Sequence, residues 1–427
     1  MTIGIGIGNE NFEKLDIGII GGGIAGLSTA LSFKKLGGHK VTIYERYAYV
    51  GEVGASLSFA SNGGRILDYL DIDVSDLKPV ILKRLIKRNW NDGEIKGVFD
   101  LGDYKESFGY EYLNLHRVDL HSLLLKECLI DDDESCVLKT NHKATLVDFE
   151  NGVIEFENGV CVTHDLIVGA DGIRSKTRDQ IGLVSDFKKS TSCCIRCLIN
   201  TSDVLKLNLT DFSQNEAIEY WWSGENSKQG EEKAINKIVL SACHKGDIIS
   251  CYCFYPTIKN SLLSDDLDAD VKIESLIELF KDLDPKLLEL FKVSYDVKQW
   301  RLYIHEVYEY WYKGKVCMIG DAIHPMMPDQ SLGAVMAVED SFALGYIFSK
   351  EFNFTIDQGL KIWETIRKPR ATKVQAASLK ARENLNERIG WSNDLKDPNK
   401  LTITEVCGYD IKGDIIKIAK ELNYISI

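Results

Sequence analysis

The feature that most narrows the fold is a glycine-rich turn set between an apolar strand and an apolar helix. Ile17–Ile20 form a short apolar run, and Gly21-Gly22-Gly23-Ile24-Ala25-Gly26 follows at once. From Ile24 to Leu36 the apolar residues recur at helical spacing, and Gly37-Gly38 closes the pattern. Val41–Tyr44 then reads as a β-branched strand capped by Glu45. A strand–turn–helix–strand unit of this kind commits the chain to a parallel sheet covered by helices. The earlier Gly4, Gly6 and Gly8 alternate in the same way, but no helix follows them, so they read as a flexible lead.

In such a turn the chain passes close to a pyrophosphate, and a Cβ at Gly21 or Gly23 would obstruct that approach, while Gly26 lets helix and strand pack closely. The helix amides then point their positive end at the phosphates. Glu45 stands 19 residues beyond Gly26, at the end of the second strand, where a carboxylate can accept hydrogen bonds from ribose hydroxyls. The full pattern indicates an adenine dinucleotide. A second stretch, KVCMIGDAIHPMMPDQSLGAVMAVEDSFALG, narrows the choice. Asp321 is placed to accept hydrogen bonds from a polyol chain, and a helix opening at Gly333-Ala334 offers unbonded N–H groups to a developing anion. A flavin, with its ribityl chain and a reduced ring that carries negative charge, meets both conditions; the competing reading is a helix-capping turn with Asp321 on the surface.

These motifs together resemble the single-component FAD-dependent aromatic hydroxylases, the group that includes salicylate and 4-hydroxybenzoate hydroxylases. The resemblance rests on GGGIAG with Glu45, GADGIRS at 169–175, GDAIHPMMPDQSLGA at 320–334 and HRVDLHSLL at 116–124. It runs from about Ile17 to Arg370 and is greatest toward the salicylate-hydroxylase-like branch. It implies that Arg117 contacts the FAD, that Arg46 and Ala55 (in the stretches Tyr44-Glu45-Arg46 and Gly51-Glu52-Val53-Gly54-Ala55) belong to the cofactor site, and that Asp171 serves FAD and pyridine nucleotide. Asp171-Gly172 is also an ordinary strand-end turn. Two positions depart from the family: Leu332 stands where Gln or Gly is usual, and Val335 where Asn or Cys is common. Both are expected close to the flavin ring, where they would alter the handling of substrate and oxygen.

The expected architecture is α/β: a Rossmann-like FAD-binding domain (15–80, 105–185 and 295–350), an inserted β-sheet substrate domain (81–104 and 186–294) and a C-terminal helical region (351–427). Turn signals at Asn91-Asp92-Gly93 and Asn158-Gly159 predict hairpins, and Ser264–Phe291 reads as helical and acidic. On the substrate side the resemblance points to Arg196 in the run TSCCIRCLI. An arginine inside an apolar strand is costly unless paired, so either an anionic ligand pairs it or the strand is an edge and the side chain reaches water. Tyr220 and, less so, His244 are candidates for proton transfer, although such residues are more often core or rim. His324 reads as structural.

Composition sets the remaining bounds. The 427 residues carry 51 Lys+Arg against 64 Asp+Glu, a net charge of −13 that disfavours a nucleic-acid partner but not a small anionic ligand. Eleven cysteines lie scattered, the densest cluster in strand-like apolar runs, so they read as buried thiols and no metal site is expected. No stretch has the roughly 18 apolar residues of a membrane span, and no targeting signal is legible, so a cytoplasmic location is expected. The expected activity is hydroxylation of a salicylate- or 4-hydroxybenzoate-like phenolic acid, with or without decarboxylation, consuming NADH or NADPH and O2 in a monomer or homodimer. Urate, hydroxynicotinate or a polyketide phenol would suit related pockets, and a flavin-free escort or binding module is the reading from another class.

Overall fold

A computed structural model describes residues 12–48, 54–130, 135–184, 187–224, 235–257, 269–391 and 400–425. The glycine lead at 4–8, the positions Gly51, Glu52 and Val53 and the start of the stretch from Ser264 lie outside the described residues.

Two large sheets divide the molecule, and two three-stranded sheets accompany them among the described residues. The first has six strands in the order 312–313, 316–318, 166–169, 16–20, 40–44, 136–139, all parallel except the pair at 312–313. Its central strand Asp16–Ile20 is buried on both faces, which is why it reads as a continuous apolar run. Helix Ile24–Gly37 follows and stops where Gly38 adopts φ 64° and donates its N–H to the Lys34 carbonyl, while the His39 N–H goes to the Phe33 carbonyl. Helix Gly333–Ile347 packs along it, and both belong to the largest apolar core.

The second sheet has eight strands in the order 269–270, 295–305, 187–200, 248–256, 237–243, 217–222, 84–89, 95–100. All its pairings are antiparallel except that of 217–222 with 84–89. The hairpin expected around Asn91-Asp92-Gly93 forms, with Gly93 at φ 69°. The outer face of this sheet is closed by helices Ile273–Leu279 and Pro285–Phe291, which share a second apolar core with Cys193, Cys197, Cys251 and Cys253. The break between these helices comes from Asp284, whose side chain caps the second one ahead of Pro285. Ten of the eleven cysteines are buried and none is disulfide-bonded, as expected of thiols that pack as small hydrophobes.

One boundary differs from expectation. Strand Tyr295–His305, expected to begin the last piece of the cofactor domain, pairs with Phe187–Asn200, so the antiparallel sheet extends to residue 305. Its pairing partner lies about a hundred residues upstream, a contact that no local pattern reports. The helical C-terminal part is present as Ile356–Glu383, Ile403–Cys407 and Ile411–Glu421, the first packed on helix Gly333–Ile347. Among the described residues no helix is long and apolar enough to cross a membrane, and no cluster of three or more potential metal ligands occurs.

Candidate active site

A cavity of about 360 Å³ lies between the two sheets. Its cofactor side is built at the C-terminal ends of the parallel strands, the usual ligand crevice of such a sheet. Gly21 sits at φ 112°, and a Cβ there would come within 2.4 Å of the Ala170 carbonyl oxygen; one at Gly26 would meet the Gly21 oxygen at 2.0 Å. The turn can therefore be made only of glycine at these points. Gly23 lines the cavity and precedes the first helix with no side chain capping it, so the helix N-terminus is left for a ligand. The Gly22 N–H donates to Glu45 (3.0 Å), and His121 Nε2 contacts the Gly22 carbonyl (2.8 Å), fixing the turn from both sides.

Arg117, Ala55, Asp321, Gly333 and Ala334 line the same cavity. Ala55 and Arg117 are joined by a backbone hydrogen bond of 2.9 Å. Asp321 opens onto the cavity; the protein packed around it pushes its carboxyl pKa up, while His324 and Arg117 pull it back down. The helix beginning at Gly333 has no capping side chain and no acid in its first turn. These features (glycines that exclude a Cβ, two uncapped helix N-termini and one carboxylate over a single cavity) fit an adenine-dinucleotide flavin.

Not every expected residue points inward. Arg46 is exposed and stacks on Tyr47, its guanidinium carbon 4.7 Å from the ring centre. Asp171 accepts hydrogen bonds from Ser175 Oγ, Lys176 N and both Thr177 N and Oγ1, so its carboxylate is engaged in a turn; its neighbours Ala170 and Gly172 line the cavity instead. Leu332 and Val335, expected beside the flavin ring, are buried in the core and do not line the cavity. A helix turns about 100° per residue, so with Gly333, Ala334 and Ala337 on the cavity face, Val335 faces Gly63 on the other side.

The loop between Asp321 and Gly333 is held from behind by charges that the sequence reading did not select. Asp340 accepts from Gly320 N (3.1 Å) and Arg367 Nε (2.8 Å) and contacts His324 Nε2 (2.5 Å); all three side chains are buried. Glu339 beside it accepts from Asn62, Arg367 and Arg370. Burial raises the pKa of both acids, and the surrounding cations outweigh it, so both end below the usual carboxylate range. His324 is thus structural, as expected. Two adjacent acids inside the apolar helix AVMAVEDSFALG were the available signal, because buried acids need partners.

The opposite wall is the antiparallel sheet, which presents Tyr220, Lys237, Tyr252, Phe254 and Trp300. Tyr220 is 2% exposed, and its hydroxyl has no hydrogen-bond partner among the described residues. Burial raises its pKa, and the Arg388 guanidinium, 5.3 Å from the ring centre, opposes that rise. Lys237 forms a short ion pair with Asp329, both buried, a pair the sequence reading also missed. His244 lies at the rim, bonded to Asp119, and does not line the cavity.

Arg196 answers neither expectation for it. Its strand, Phe187–Asn200, is bonded on both sides, so it is no edge. The negative charge that a ligand was to supply comes from Asp296, whose carboxylate accepts from Arg196 Nη1 at 2.7 Å alongside the Gly54 carbonyl at 2.6 Å. Arg196 does not line the cavity; it lies under Trp300, 5.2 Å from the ring centre, and Trp300 does.

A family model described as an FAD binding domain matches residues 138–378, and one described as an FAD dependent oxidoreductase matches 16–71. The chain is similar to a hispidin-3-hydroxylase of Neonothopanus nambi, 28% identical over 96% of this chain and 98% of that one. It is also similar to 3-hydroxybenzoate 6-hydroxylase 1 of Aquipseudomonas alcaligenes, 28% identical over 84% and 86%. Among solved structures, a tetrameric form of 2-methyl-3-hydroxypyridine-5-carboxylic acid oxygenase superposes with a TM-score of 0.74 at 23% identity, covering 94% of this chain and 98% of that one.

Proposed function

The chain belongs to the FAD binding domain family, and from that premise we propose that this FAD-dependent monooxygenase hydroxylates a phenolic aromatic acid at the expense of NADH or NADPH. One observation carries the reading: a flavin cradle made of backbone and an aromatic wall bearing an unpartnered tyrosine hydroxyl face each other across a single cavity. When bound, FAD accepts hydride from the pyridine nucleotide and activates dioxygen for insertion into an electron-rich ring.

The protein's own groups do the rest. Gly23, the uncapped helix ends and Asp321 hold and orient the cofactor. Tyr252, Phe254 and Trp300 pack the substrate ring and keep water from the reacting face. The Tyr220 hydroxyl, which no group among the described residues engages and which burial keeps protonated, donates a hydrogen bond to the ring oxygen and steadies the charge that develops there. Arg196, engaged with Asp296, is a positioning residue that steadies Trp300 and the backbone at Gly54. Asp171 shapes the turn beside the cofactor.

Hydroxynicotinate and hispidin-like phenols remain in the substrate field, because relatives named for them share this fold and length. The test is pyridine-nucleotide oxidation by the purified yellow protein against hydroxybenzoates, hydroxynicotinate and hispidin, with product identification. A ring-hydroxylated product is expected; nucleotide consumption that yields only peroxide with every compound would overturn the substrate reading. A colourless protein that cannot be reconstituted with FAD would favour the escort module.

A further inference from the structure

The innermost part of the cavity carries more positive charge than it balances. Lys237 and Tyr220 line the cavity yet are only 1% and 2% exposed, so they sit at its closed end. Asp329, from the loop ahead of helix Gly333–Ile347, pairs with Lys237 through Oδ1, and its Oδ2 has no partner among the described residues. Arg382 approaches the same Oδ1 at 3.5 Å and lies 4.6 Å from the Phe254 ring centre. Arg388, buried at 1%, stands over Tyr220 and donates to a backbone carbonyl, and it makes no ion pair with a carboxylate among the described residues. Two buried cations, Lys237 and Arg382, thus share one carboxylate, and Arg388 adds a third buried positive charge that acts on Lys237.

A buried excess of charge is costly unless something compensates it. The strain is visible on Lys237: burial is the largest cause, Arg382 and Arg388 add to it, and the pKa falls to about 8 although Asp329 opposes the fall. A neutral aromatic would leave that imbalance in place. An arriving oxyanion would relieve it, and Lys237 is the one of the three cationic residues that lines the cavity.

On the reading of the site given above, we propose that Lys237 is the specificity-determining residue that holds an aromatic oxyanion of the substrate at the closed end of the cavity, with Arg382 and Arg388 reinforcing it and Asp329 competing against it. Two sources share this chemistry: an ionised ring hydroxyl, which would lie beside Tyr220, and a ring carboxylate.

The test uses the FAD-loaded protein and equilibrium binding, with no turnover. One arm measures 4-nitrophenol, whose colour reports its ionisation; the other compares benzoate with the neutral benzamide. An oxyanion site lowers the apparent pKa of bound 4-nitrophenol by at least about one unit in the first arm, or binds benzoate at least roughly tenfold tighter than benzamide in the second. Whichever arm responds identifies the source. Lys237→Met removes most of the preference, whereas Asp329→Asn increases it a few-fold by withdrawing the competing carboxylate, an opposition of sign that a merely structural pair would not produce. If Lys237→Met fails to fold, the double variant Lys237→Met/Asp329→Asn, which leaves no unpaired acid, replaces it and loses the preference likewise. Equal binding of anion and neutral isostere, or a preference that survives the loss of Lys237, overturns the proposal. The flavin absorbance of the same sample separates the failures: a yellow protein without anion preference sinks this inference alone, and one that never takes up FAD sinks the functional reading with it.

Discussion

On the parallel-sheet side of the cavity the groups that face inward are mostly main chain: the turn at Gly21–Gly26 and the helix ends at Gly23 and Gly333, with Asp321 and Arg117 as the main polar side chains. On the antiparallel-sheet side they are side chains projecting from separate strands, Tyr220, Lys237, Tyr252, Phe254 and Trp300. On the proposed reading the first wall meets what every member of a cofactor class shares and tolerates almost no change of backbone, whereas the second fits one ring among many and its single side chains can change without disturbing the fold. Substitutions on the two walls should therefore fail in different ways.

The largest effect is expected at Gly26. A valine there would place its Cβ at 2.0 Å from the Gly21 carbonyl oxygen, a backbone atom that cannot swing aside. Gly26→Val should abolish flavin retention and leave mostly insoluble protein, read from the ratio of flavin to protein absorbance. A soluble variant with full flavin content would show that the turn is not the rigid half of the contrast. Next in size is Asp340→Ala, which removes the acceptor shared by Gly320, His324 and Arg367 and leaves the arginine buried with one carboxylate fewer. Breaking such a pair costs about 3–5 kcal/mol. Denaturant unfolding should report that loss together with weaker flavin binding, because the same loop carries Asp321.

Tyr220→Phe probes the other wall. The hydroxyl is buried without a partner, so removing it should leave stability unchanged or slightly improved, and flavin content intact. Turnover should fall roughly tenfold to a hundredfold if the hydroxyl donates to the ring oxygen as charge develops on it. A parallel loss of flavin would contradict the division between the walls. Unchanged turnover would remove Tyr220 from the reaction.

The same division explains what could be read before folding. The cofactor wall is local: its glycines, the strand before them and Glu45 fall within about 30 residues, so spacing alone located them. Asp321 and Gly333-Ala334 were legible for the same reason. Leu332 and Val335 stand beside Gly333 and Ala334 in sequence, yet both side chains are buried in the core, Val335 because of helix phase. The substrate wall is assembled from strands spread over about eighty residues, from Tyr220 to Trp300, and its key pair joins Lys237 at a strand start to Asp329 in a proline-rich loop. Lysine at a strand end and aspartate after proline are ordinary surface residues by local pattern, so only the pairing of distant segments gives them a role. Arg196 shows the converse: its strand position was legible, and Asp296, a hundred residues on, was not.

The smallest expected effect lies where the two sheets meet. His305 ends strand Tyr295–His305, is 7% exposed, and contacts the Tyr308 hydroxyl at 3.2 Å while its Nε2 has no partner. Burial first, and the nearby Arg178 second, lower its pKa to about 4 from the ordinary 6.5. In the unfolded chain the imidazole takes up a proton as the pH drops through 6.5, and the folded protein refuses that proton until about pH 4. The neutral ring therefore contributes stability that is complete above pH 6.5 and is lost progressively toward pH 4. His39 and His164 are lowered by burial as well and add slopes of the same sign, so the measurement must be a difference. Melting temperatures of the wild type and His305→Gln, taken across pH 4.5–7, should converge toward the acid end by about 2–4 °C, the equivalent of ~1 kcal/mol in a protein of this size. Parallel curves would mean that His305 takes up its proton in the fold at the same pH as in the unfolded chain, and that the junction between the two walls is wetter than its burial implies.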